Sequence, residues 1–228
     1  MTEYPGWAGR LMDWLRFGMQ LVLLNLLFLA GTFAGLGIFG LFPSAVATTV
    51  LLARLRSGDP GDRLISDYLT AYRAQFIHAN KVGSLFWLAA LLAVANARLV
   101  FDPAWTHPAW LFLSVVAIIA SVTVGVSAAA AVVVCSRYRD TVRRTWRLAL
   151  ILPLASPVMT ITWLVSLGAL GVLFAGVGAL VPLVGASLPL LVSGVVIGHR
   201  LGALLPNDDG ADAADQPPGR SHQLTIAA

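Results

Sequence analysis

Asn25, Asn96 and Arg98 are polar side chains set inside long apolar runs, and they limit the chemistry this sequence can carry. Ionisable groups are costly to hold in a bilayer and commonly mark solute or ion pathways. Arg98 with Asn96 and Asn25 would make a polar pocket able to hold an anionic or neutral solute. The plainer reading is that Arg98, about one turn from the end of its run, snorkels to the interface. The two asparagines likewise suit interhelical hydrogen bonds, worth roughly 0.6–2 kcal/mol each. No Asp or Glu falls within any apolar run, Asp102 standing at an edge, which argues against a carrier driven by protons on membrane carboxylates. His78, His107, His199 and His222 lie in separate segments without metal-ligand spacing. No nucleophile–base pair, phosphate loop or zinc signature occurs. The expectation is a protein that is not an enzyme, with no catalytic residue, metal or cofactor.

A second group of residues suits recognition. Tyr68, Tyr72, Arg73 and Phe76 fall in one basic segment, and Arg143 and Trp146 in another. Aromatic rings beside guanidinium groups are common at contact surfaces, so these six are candidates for contact with a protein partner. Tyr68, Arg73, Phe76 and Ala79 align with Tyr138, Arg143, Trp146 and Ala149 at an offset of about 70 residues, as in a parallel internal repeat. Chance similarity explains the alignment equally well, because both residue types are frequent at inner membrane interfaces.

The elements that must position these residues are membrane helices. Of 228 residues, 58% are hydrophobic and 11% charged, against about 25% charged in a soluble domain. The runs 17–53, 82–101, 109–135, 148–174 and 178–198 reach or exceed the length of a span, roughly 20 residues. One buried soluble helix would explain one such run, not five. The net charge of +4 sits in short connectors rather than on a soluble face, which excludes nucleic acid as a partner and makes the lipid bilayer the expected one. The lone Cys135, inside an apolar run, reads as a small buried hydrophobe. Arg10 and Arg16 ahead of the first run resemble a signal peptide, but that run far exceeds an h-region of roughly 7–15 residues. It reads as an uncleaved first span.

Run 17–53 is too long for one crossing. Gly31, Gly35, Gly37, Gly40 and Pro43 gather in its middle and favour a helical hairpin. Both flanks are basic, which suits two crossings or a re-entrant pair. Arg137, Arg139, Arg143, Arg144 and Arg147 against Asp140 give residues 136–147 the strongest inside signal. Residues 63–80, with Leu64, Ile65, Tyr68, Leu69, Tyr72 and Phe76 at helical spacing, read as a cytoplasmic amphipathic helix against the membrane or the bundle. Pro153, Pro157, Pro182 and Pro189 kink the last runs. Gly31–Gly35 and Gly194–Gly198 are small-xxx-small pairs suited to close packing within the subunit. The expected fold is an all-α polytopic transmembrane bundle of six spans in the plasma membrane, with five spans and an interfacial second helix as the alternative. Both termini would be cytoplasmic: a head at 1–16, the transmembrane domain at 17–205 and a disordered tail at 206–228.

Gly40-Leu-Phe-Pro-Ser-Ala45 follows the span holding Asn25 and leads into a helix ending Arg54-Leu-Arg56. Then come Asp67-Tyr-Leu-Thr-Ala-Tyr-Arg-Ala-Gln-Phe76 and Asn80-Lys81, and a new span. This order, over residues 5–200, resembles the YesL-like family of bacterial membrane proteins, a domain of unknown function. The resemblance implies an accessory or regulatory role beside carbohydrate transporters of the ATP-binding-cassette type, and it carries no catalytic residues. The chain lacks the Glu-Ala-Ala…Gly loop of a cassette permease, its sole glutamate being Glu3, so it does not resemble the permease itself. An autonomous transporter or channel for a small neutral solute is the alternative function.

Overall fold

The computed structural model describes residues 7–58, 63–100, 109–138 and 141–204. They form eight helices: α1 (Trp7–Ala34), α2 (Ile38–Arg56), α3 (Leu64–Val100), α4 (Ala109–Arg137), α5 (Val142–Ala155), α6 (Pro157–Gly176), α7 (Leu180–Val184) and α8 (Ser187–Leu204). No strand occurs among the described residues. Five of the helices, α1, α2, α3, α4 and α6, are long and apolar enough to cross a membrane.

The long first run breaks at Gly35-Leu36-Gly37. Leu36 and Gly37 both adopt positive φ, 57° and 77°, a region that costs an L side chain free energy and glycine almost none. Gly35 meets the backbone of Gly40 so closely that a Cβ at either position would collide. The result is a tight antiparallel hairpin: Leu21 and Leu24 of α1 pack with Ala47, Leu51 and Leu52 of α2. The helix–break–helix reading of 17–53 matches this geometry.

α2 is the central helix. Its residues 42–49 are buried without interruption, and it packs against α1, α3, α4 and α8. A helix apolar on every side has no preferred solvent face and suits such a position. Pro43 lies in its second turn without breaking it. The main core joins Phe42 and Val46 of α2 to Ala79, Val82 and Phe86 of α3 and to residues 130–133 of α4.

Three boundaries differ from the sequence expectation. No break separates the 63–80 segment from the following span; α3 runs through 37 residues, about 55 Å at 1.5 Å per residue. Its amphipathic half is the first part of the same rod, because nothing between Ala74 and Val82 disfavours helix. Run 148–174 is not one helix: α5 ends at Ala155 and α6 begins at Pro157. Ser156 takes φ −138° and ψ 73°, as a residue before proline is driven out of the helical region. Pro157 has no N–H for the Pro153 carbonyl, and the Thr160 hydroxyl donates to it instead at 3.3 Å. Run 178–198 is also divided, into the five-residue α7 and the longer α8. Residues 7–16 of the head form the first turns of α1. Residues 1–6 and the tail at 206–228 lie outside the described residues.

Candidate functional site

Asn25 is 1% exposed and sits where α1 faces the α7–α8 joint. Its amide nitrogen donates to the Pro182 carbonyl at 2.8 Å. Its carbonyl oxygen accepts from the Ala186 N–H at 2.9 Å and the Ser187 N–H at 3.3 Å. In an unbroken helix Ala186 would donate directly to Pro182. The carboxamide is inserted into that ladder and replaces the missing bond, a recognised cause of helix breaks. Ala186 and Ser187 also supply the first free amides of α8, which need an acceptor. The interhelical role expected of Asn25 is therefore the observed one. The alternative, a polar pocket of Asn25 with Asn96 and Arg98, fails for Asn25, whose polar atoms are engaged by backbone. Asn96 and Arg98 fall on the last turns of α3, and their side chains lie outside the described set.

The aromatic candidates divide between interior and surface. Tyr68 is 1% exposed and packs with Leu21, Leu24 and Leu51. It offers no surface to a partner, and its place in the contact set is corrected for that reason. Tyr72 stacks on Tyr68 with ring centroids 6.1 Å apart and donates its hydroxyl to the Gly31 carbonyl at 2.9 Å. Phe76 continues the series at 5.5 Å from Tyr72. Gly31 admits these rings: a Cβ there would stand 2.5 Å from the Tyr68 hydroxyl and 2.6 Å from that of Ser44. The Ser44, Thr48 and Tyr68 hydroxyls are buried beside one another without a well-formed hydrogen bond. Gly31 thus packs within the subunit, as does Gly194 against Thr49.

Arg73 is exposed, on the other side of α3. With Ile65, Leu69 and Ile77, which are 53%, 44% and 69% exposed, it forms a stripe at i, i+4 spacing that the bundle leaves uncovered. Arg143 is exposed and Trp146 half-buried, its indole N–H donating to the Val82 carbonyl at 3.0 Å. Trp146 is a joint between α5 and α3. The two aligned segments do share one feature: Ala79 and Ala149 are both fully buried in the main core.

A cleft of about 340 Å³ opens where α2, α3 and α4 meet, its polar lining including Arg54, Asp67, Gln75, Ser136, Arg137 and Tyr138. Arg54 and Asp67 approach to 3.8 Å with both side chains about half exposed, so solvent screening leaves the pair little stabilising value. Arg137 reaches across to α8 and donates to the Gly198 carbonyl at 3.3 Å. The lining therefore combines two guanidinium groups, one carboxylate, an amide and a phenol, suited to a small polar or anionic group. Sequence reasoning placed neither Arg54 nor Arg137 in a candidate site. Their convergence depends on the antiparallel packing of helices far apart in the chain. Among the described residues, no three His, Cys, Asp or Glu side chains are grouped to hold a metal ion.

The long apolar helices and their exposed leucines and valines are those of a helical membrane protein. Residues 21–97 match the family described as "Protein of unknown function, DUF624", in agreement with the YesL-like resemblance read from the sequence. The matched region spans the second half of α1, all of α2 and nearly all of α3, and includes Asn25, Gly31, Tyr68 and Tyr72. The chain is also similar to a Bacillus subtilis (strain 168) protein named "Uncharacterized protein YteU", at 26% identity over 99 residues. That similarity covers 43% of this chain and 45% of the relative, less than half the length of either. No solved structure matches the chain.

Proposed function

We propose that this protein is a non-enzymatic component of the plasma membrane that assists or regulates a solute transporter, with carbohydrate uptake as the first system to test. The observation that carries the reading is the uncovered stripe Ile65–Leu69–Arg73–Ile77 on the more polar half of α3. Three aliphatic side chains flank a guanidinium group there, a composition suited to a protein contact. α1 and α2 cover the opposite face of the same half-helix, holding the stripe on a rigid support.

In this reading the arginine-rich end is cytoplasmic, so the stripe meets its partner at the inner membrane face. The division of labour on α3 is specific: Tyr68, Tyr72 and Phe76 fix the helix, and Ile65, Leu69, Arg73 and Ile77 make the contact. A variant carrying Leu69→Ser, Arg73→Ala and Ile77→Ser should insert and melt like the wild type. It should lose the transporter subunits that co-purify with the wild type in mild detergent. Undiminished co-purification would remove the basis of the contact.

A second reading, an autonomous transporter for a small neutral solute, is favoured by the polar cleft between α2, α3 and α4 and by the broken helices α5–α6 and α7–α8. Solute uptake by the purified protein in liposomes would establish it in place of the accessory role.

A further inference from the structure

α5 carries a gradient along one exposed stripe. Arg143, Arg147, Leu150 and Leu154 follow one another at i+4, i+7 and i+11 from the first, with Arg144 and Ile151 on its flank. The two ends differ sharply. Thr141, Arg143, Arg144 and Arg147 line an open hollow of about 700 Å³. Leu150, Ile151 and Leu154 beyond it are 41%, 48% and 75% exposed. The distance from Arg143 to Leu154 along the axis is about 16 Å at 1.5 Å per residue, comparable to the depth from lipid phosphate into the acyl region. The opposite face is anchored: Thr145, Ala149, Leu152 and Pro153 are buried, and Trp146 is bonded to Val82. The stripe therefore cannot turn inward to cover itself.

The first turn of α5 has no acidic residue, and Thr141 makes no side-chain cap. Segment 136–147 as a whole holds five arginines against Asp140. Guanidinium groups make forked hydrogen bonds to phosphate oxygens. An apolar stripe continuing from such a hollow is of no use to a free anion or a phosphopeptide, but it fits acyl chains.

We propose that α5 is a binding site for an anionic phospholipid, whose headgroup phosphate is held by Arg143 and Arg147 and whose acyl chains lie along Leu150, Ile151 and Leu154. The lipid docks the helix at the headgroup level.

Native mass spectrometry of the full-length protein, loaded from micelles with phosphatidylglycerol or phosphatidylcholine, tests this. Wild-type protein is expected to retain phosphatidylglycerol over phosphatidylcholine by on the order of tenfold, and the Arg143→Gln, Arg147→Gln variant to lose that preference. An Arg63→Gln variant, altered at a basic site elsewhere, should keep it. Arg143→Lys with Arg147→Lys preserves charge and should keep most of it, so poor folding of the glutamine variant does not leave the site untested. Excess inorganic phosphate should fail to displace the lipid. Equal retention of the two lipids, an unchanged preference in the glutamine variant, or displacement by phosphate alone would each overturn the assignment.

Discussion

At residue scale the structure turns on side chains that complete another element's backbone. Asn25 does so for the α7–α8 joint. Asn25→Ala leaves the Pro182 carbonyl and the Ala186 and Ser187 amides without their partner. It should cost about 1–3 kcal/mol, the range for a buried group left unsatisfied, seen as a lower melting temperature in detergent. Gly31 has a steric role: Gly31→Ala forces a methyl against the Tyr68 and Ser44 hydroxyls and should cost about 1–3 kcal/mol as overpacking. A melting temperature unchanged in either variant would contradict these contacts. Sequence showed that Asn25 was polar in an apolar setting, and hence bonded. It could not show the partner, which lies 157 residues away in the chain. Tyr68 was misassigned for a related reason. Helical spacing shows which residues share a stripe, but not whether the bundle, lipid or another protein covers it.

At element scale the readable signals were those that constrain backbone directly. The glycine cluster announced the α1–α2 break, since few other residues tolerate positive φ. Pro157 carried an equally direct signal for the α5–α6 break, read in the sequence only as a kink. The continuity of α3 had no signal, because a change from polar to apolar composition marks a membrane boundary without interrupting hydrogen bonding. Lys81→Pro tests that continuity at an exposed position. Inside one helix proline removes a backbone bond and clashes with the preceding turn, an expected cost of about 3 kcal/mol or more. At the first turn of a separate helix it would be tolerated. Thermal melting of Lys81→Pro beside Lys81→Ala distinguishes the two, and equal stability would place a helix start there.

At the scale of the whole molecule, α1, α2 and α3 form the unit that the family match covers almost alone, and α4 to α8 complete the bundle around α2. The helical membrane class was legible from composition and run length. The arrangement was not, because α2 owes its central place to contacts with four helices that no local pattern records. The arginine-bearing ends of α2 and α4 meet at one end of this bundle, and the α1–α2 turn stands 85% exposed at Leu36. Single cysteines at Leu36 and at Ser57, in a chain whose buried Cys135 is replaced by serine, report the direction of the hairpin. A membrane-impermeant maleimide applied to intact cells should label the cysteine at Leu36, and the one at Ser57 only after permeabilisation. Labelling of both positions from the same side would contradict two crossings by α1 and α2, and with them the topology on which the docking stripe and the lipid site depend.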